Sequence, residues 1–191
     1  MPVLLFCLLF ALLSCSTVRS GTPVPRTVPP PSSSSRLPTA GAPKVVSPLT
    51  DTLRFRREPC SVLTPEQATS LGLPAAGVET PGPRCEWLDQ RSRAYVAINW
   101  NEIFHNGLSG TYENRHRYSL FRPMPDLRGH PALAFGNKAD QAIGLCMLKV
   151  GVTDELTFDV TVFQAKVDRG TSDPCELAHR AADLILITMI S

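Results

Sequence analysis

Apolar and polar residues alternate most clearly late in the chain. Cys146, Leu148, Val150 and Val152 fall on one side of a two-residue period, Thr153-Asp154-Glu155 supplies a turn, and Leu156, Phe158, Val160 and Val162 repeat the period. Two such runs joined by a short polar turn predict adjacent antiparallel strands that share an apolar face. Ala94, Val96, Ile98 and Trp100 give a third strand of the same kind, and Cys85-Glu86-Trp87-Leu88 opens the sheet ahead of it. Leu127-Arg128-Gly129-His130 reads as a turn leading into a short strand through Phe135, with Pro74–Arg84 as loop and residues 107–118 ambiguous between helix and loop.

Two helices carry their start signals openly. Thr64-Pro65-Glu66-Gln67 combines a capping threonine, a proline at the first helical position and a glutamine able to reach back at the third, and Gly72 closes the helix after about two turns. Asp173-Pro174-Cys175-Glu176 repeats the design. The helix that follows runs to the C-terminus, with Leu177, Ala181, Leu184 and Thr188 beside Ala178, Ala182, Ile185 and Met189, a broad stripe suited to packing on a sheet. The expected fold is α+β: an antiparallel meander packed by a short N-terminal helix and a C-terminal helix.

The first third of the chain follows different rules. Val3–Leu13 is an apolar run too short to cross a bilayer and suited to a signal peptide. It ends at Leu12-Leu13-Ser14-Cys15, which looks like a bacterial lipobox: a small residue before a cysteine, with polar sequence directly after it. Residues 1–14 are therefore expected to be a cleaved lipoprotein signal, and Cys15 a lipidated cysteine of the palmitate-bearing kind. Met1-Pro2 brings no Lys or Arg, where secretory leaders are basic, so the true start is expected to lie upstream. Residues 16–48 contain eight prolines and Ser32–Ser35. Such a segment buries too little apolar surface to fold, so residues 15–58 are expected to be a lipidated, disordered linker and residues 59–191 the globular domain. At about 3.1 Å per residue in a polyproline form, some thirty residues would reach roughly 90 Å from the membrane.

Charge sharpens this division. Residues 16–59 carry Arg19, Arg26, Arg36, Lys44, Arg54, Arg56 and Arg57 against Asp51 and Glu58, whereas the rest of the chain carries twelve basic and fifteen acidic residues. The basic part can lie along anionic lipid or wall polymer, and the slightly acidic domain lacks the basic face that nucleic acid requires. Of six cysteines, Cys7 falls in the apolar run and Cys15 in the lipobox. Cys60, Cys85, Cys146 and Cys175 remain, an even number that predicts two disulfides in an exported domain, with three connectivities open. None sits in a closely spaced cysteine or histidine pair, so no metal site is expected.

No motif for chemistry stands out. His105, His116, His130 and His179 lack the spacing of a zinc hydrolase, Gly107-Leu108-Ser109-Gly110 misses the hydrolase elbow by one residue, and neither a phosphate loop nor a dinucleotide fingerprint occurs. No cofactor and no catalytic residue are expected. Of two tryptophans, Trp87 reads as core beside a disulfide, while Trp100, at a strand end, is a candidate ligand contact.

In order, Pro59-Cys60, Leu63-Thr64, Gly72-Leu73, Cys85-Glu86-Trp87-Leu88, Asn99-Trp100, Leu127-Arg128-Gly129-His130-Pro131-Ala132, Gly144-Leu145-Cys146, Val150-Gly151-Val152 and Asp173-Pro174-Cys175-Glu176-Leu177-Ala178 follow the lipobox and the Pro/Ser tract. This ordered set resembles a family of actinobacterial, mycobacterial-type secreted lipoproteins that share a four-cysteine domain of unknown function. The resemblance covers residues 15 to about 189 and implies an envelope protein on the outer face of the cytoplasmic membrane, with no assigned activity or cofactor. A sheet-and-helix fold akin to the PsbP-like domains of other mycobacterial lipoproteins is a further implication. Because each Pro-Cys pair marks a helix start, Cys60–Cys175 is the preferred bridge between the starts, leaving Cys85–Cys146 between neighbouring strands. The first would contribute roughly 4–5 kcal/mol by chain entropy. Three roles follow: a non-catalytic binding module for an apolar lipid, cell-wall or envelope-protein ligand, an envelope hydrolase, or a structural partner of another envelope protein.

Overall fold

The computed structural model describes residues 36–191; the apolar run, Cys15 and the prolines up to Pro31 lie outside the described residues. The expected α+β architecture is present. Seven strands, β1 (Val78–Thr80), β2 (Arg84–Leu88), β3 (Tyr95–Asn101), β4 (Leu120–Leu127), β5 (His130–Gly136), β6 (Leu145–Gly151) and β7 (Thr157–Phe163), form one antiparallel sheet in the order β1-β2-β3-β7-β6-β5-β4. Helices α1 (Leu53–Arg57), α2 (Pro65–Ser70), α3 (Ser109–Glu113) and α4 (Pro174–Ile190) complete it.

The alternating runs set the register. Cys146 pairs with Val162, Leu148 with Val160 and Val150 with Phe158, while Val96, Ile98 and Trp100 oppose Val162, Val160 and Phe158 from the other side. All these side chains are buried on the face covered by α4. The helix meets them with Ala178, Ala181, Ala182, Ile185, Leu186 and Met189, its alanines leaving room for the bulky strand residues. Leu177 and Leu184, expected on the stripe, are half-buried at its margin. Both predicted helix starts hold: Thr64 Oγ1 accepts from Gln67 N at 3.2 Å, Gln67 Oε1 accepts from Thr64 N at 2.8 Å, and Asp173 Oδ1 accepts from Cys175 N at 2.8 Å.

β4 carries Pro123 and Pro125 and gave no strand signal. It lies at the sheet edge, where the donors a proline lacks are not needed. Arg128 (φ 55°) and Gly129 (φ 85°) make the left-handed two-residue turn into β5. β1, three residues long, forms the opposite edge within the segment expected to be loop.

Two expectations are corrected. The folded unit does not begin at Pro59. Val46 N donates to Gly129 O at 3.1 Å and Leu49 N to Val152 O at 3.1 Å, and Val45, Thr52 and Phe55 are buried. Between the prolines these few apolar side chains find the sheet and satisfy the backbone, so residues 36–58 belong to the domain and not to a disordered linker.

The disulfides are Cys60–Cys85 and Cys146–Cys175, with Cα separations of 5.0 and 5.1 Å. The expected Cys60–Cys175 and Cys85–Cys146 bridges are absent. Cys85 on β2 and Cys146 on β6 are separated by β3 and β7. Three inter-strand steps amount to about 14 Å, twice what a disulfide can span. Each bridge instead fastens a helical start, the 3₁₀ turn Pro59–Val62 or the first turn of α4, to the strand beneath it.

Candidate functional site

The connection from β3 to β4 must travel from the middle of the sheet to its edge, and residues 102–119 do so across the face opposite α4. Leu133, Phe135 and Lys149 alternate onto that face, where Tyr118 meets the Phe135 ring edge-on at 5.4 Å and Tyr112 meets Phe121 at 5.0 Å. Between this crossing segment and the sheet lies an open cleft of about 300 Å³.

Two glycines shape its wall. Gly107 has φ 54°, its N–H donates to Glu155 O at 3.0 Å, and a Cβ there would run into the Asp154 carbonyl. Only glycine allows the crossing segment to seat so closely on the β6–β7 turn. A Cβ on Gly110 would meet the Asn106 carboxamide, with Cγ at 2.9 Å, so the bare glycine leaves that side chain its place in the cleft. Ser109, between them, is fully buried, and its hydroxyl accepts from Thr39 N at 2.8 Å. The serine of the Gly-Leu-Ser-Gly run is a latch for the N-terminal segment.

The polar lining comes from several elements. Asn101 donates through Nδ2 to Thr157 Oγ1 at 3.0 Å, and Asn114 through Nδ2 to Gly110 O at 2.8 Å, which holds each amide in orientation with its carbonyl oxygen unpaired among the described residues. The Asn106 carboxamide and the Tyr118 hydroxyl make no hydrogen bond among the described residues, though both line the cleft. Lys149 Nζ lies 2.6 Å from Asp159 Oδ1 and 5.3 Å from the Phe135 ring centroid. Its charge is matched within the protein, while Glu155 forms no ion pair among the described residues. At the mouth stands Phe104, 72 % exposed and next to Ile103 at 81 %.

A larger hollow of about 660 Å³ lies where α2, the β2–β3 turn and the start of α4 meet. Two of its carboxylates have structural roles. Asp89 accepts from Arg91 N and Ser92 Oγ, bonds that hold its pKa below the usual aspartate value; Asp173 caps α4 and pairs with Arg122 at 2.8 Å. Among the described residues no cluster of His, Cys, Asp and Glu can hold a metal ion.

The residues singled out in the sequence do not converge. Trp100 is only 2 % exposed and packs on Phe158 at 5.6 Å, on the α4 face, so it is no open platform. Its strand is central in the sheet, which buries an aromatic that its sequence position would leave at an end. Trp87 is core, as expected. His130 is fully buried, its Nδ1 2.8 Å from Gly151 O; burial pushes its pKa down, and the Gly151 bond offsets this in part. His105 and His116 are exposed and His179 bonds Pro125 O, so the four histidines serve no common centre. Cys15 lies outside the described residues. The sequence reading missed Asn101, Phe104, Asn106, Asn114 and Lys149. Four asparagines between 99 and 114 were a visible signal, but nothing local shows that three of them meet.

Residues 10–188 match a family described as "Protein of unknown function (DUF3558)". The chain belongs to this family. The DUF3558 match spans both the N-terminal tract and nearly all of the folded unit, and the family description assigns no activity. No curated protein and no solved structure matches the chain. Among the described residues of this DUF3558 protein, no helix is long and apolar enough to cross a membrane.

Proposed function

We propose that this chain is an actinobacterial cell-envelope lipoprotein, held by a diacylated Cys15 on the outer face of the cytoplasmic membrane, whose folded unit is a non-catalytic binding module. The anchor rests on Leu12-Leu13-Ser14-Cys15 and the Pro/Ser tract behind it. Paired cysteines fit an oxidising compartment.

The binding reading rests on the cleft between the crossing segment and the sheet. The Asn101 and Asn114 carboxamides are oriented with their oxygens unpaired among the described residues, and an exposed Phe104 stands at the cleft mouth. Convergent polar groups with an aromatic neighbour are what a small-molecule site needs for orientation and contact area. Turnover needs a nucleophile with a base in reach or a matched acid and base. Ser109 is buried under Thr39 and His130 is sealed on the Gly151 carbonyl, which removes the two candidates nearest in kind.

A native mass spectrum of the full chain, expressed through an oxidising compartment and released from detergent, tests the reading. A mass surplus that vanishes on denaturation and is absent from Phe104→Ala supports a ligand in the cleft. A surplus that Phe104→Ala retains, or none at all, counts against it.

A further inference from the structure

The chemistry of the cleft narrows the ligand class beyond the binding reading on which this inference rests. We infer that the cleft takes a neutral saccharide unit, with Phe104 stacking on a sugar face and the carboxamides of Asn101, Asn106 and Asn114 bonding its hydroxyls.

A sugar hydroxyl both donates and accepts, and so does a carboxamide; three of them converging from β3, the crossing segment and the end of α3 offer alternating partners to a ring of hydroxyls. The C–H faces of a sugar need an exposed aromatic, and Phe104, 72 % exposed, borders the cleft. A volume of about 300 Å³ suits one or two rings. The charges point to a neutral ligand, because Lys149 is held by Asp159 at 2.6 Å and Glu155 would repel a phosphate or carboxylate. A lipid chain would bury the carboxamides without partners, at a cost it cannot return. A peptide added as a strand would need a free edge, but β1 is three residues long and β4 carries two prolines.

Isothermal titration calorimetry of the detergent-solubilised full chain, with maltotriose, tri-N-acetylchitotriose and trigalacturonic acid, tests the inference. At least one neutral trisaccharide is expected to bind, and Phe104→Ala and Asn106→Ala are each expected to weaken it about tenfold. Trigalacturonic acid is expected to bind more weakly than that neutral sugar. Phe104 is outside the core, so its truncation leaves the fold intact, checked by an unchanged thermal midpoint. Silence from both neutral sugars at millimolar concentration, affinity unchanged in Phe104→Ala, or a preference for the acidic sugar overturns the inference. If the sugars are silent while the native spectrum keeps a surplus that Phe104→Ala removes, the binding reading stands and the saccharide assignment alone falls.

Discussion

Lys149 and Asp159 sit directly opposite each other on β6 and β7, Nζ 2.6 Å from Oδ1, with only 10 % and 13 % of their side chains exposed. Lys149 lines the cleft under the crossing segment, its Nζ 5.3 Å from the Phe135 ring centroid. Removing one partner strands the other charge away from water, whereas removing both leaves no such charge. Asp159→Ala is expected to lower stability by about 3 kcal/mol, and Lys149→Met with Asp159→Leu to recover most of that loss. Urea midpoints of the two variants at constant slope give the comparison.

Each disulfide closes a short loop, 25 residues apart for Cys60–Cys85 and 29 for Cys146–Cys175. Chain entropy assigns roughly 3.5 kcal/mol to each. Peptide mapping without reduction is expected to yield these two pairs alone, and Cys60→Ser with Cys85→Ser to cost roughly 3 kcal/mol in a denaturant titration. Recovery of a Cys60–Cys175 peptide would contradict the topology.

His130 makes stability depend on pH. Burial lowers its folded pKa below the ordinary 6.5, so on acidification the unfolded chain takes up the proton first. The stability owed to neutral His130 is complete above 6.5 and is lost as pH falls from there through the lower folded value. Thermal midpoints between pH 7.5 and about 5 are expected to fall with acid, and His130→Gln is expected to flatten that part of the curve, whatever it does to absolute stability.

Gly107→Ala should be costly. It places a β-carbon against the Asp154 carbonyl at φ 54°, and a loss of about 2 kcal/mol is expected from strain and displacement together. Hydrogen exchange should then quicken in residues 104–118 more than in β6 and β7. Uniform quickening would mean that the crossing segment is not seated through this glycine.

Lipidation predicts incorporation of an alkyne fatty-acid label into the wild-type chain in an actinobacterial host and its loss in Cys15→Ser. Labelling that survives the substitution would remove the anchor from the proposal.

The strands β3, β6 and β7 and the starts of α2 and α4 were legible because each signal lies within a few residues: a two-residue period, or a cap, proline and acceptor in fixed order. β4 was hidden by Pro123 and Pro125, whose tolerance depends on being at an edge, and an edge is a property of the sheet. Residues 36–58 read as linker from their prolines, yet Phe55 is buried and Val45 packs beside Gly151 and bonds Asp154, more than a hundred residues away in sequence. The cleft was less legible still. Its glycines were noted as a failed hydrolase motif, while their role lies in contacts with Asp154 and Asn106.

Local periodicity and capping, which need only neighbouring residues, were thus determined by the sequence: an α+β domain, its main strands, its closing helix, and four cysteines destined to pair. Only the tertiary structure decided which cysteines meet, that Trp100 is sealed within the core, and that residues 102–119 cross the open face to form a cleft over Lys149. Those outcomes follow from strand order and from where each crossing lands, and strand order is set by pairings between distant segments that no short window of sequence contains.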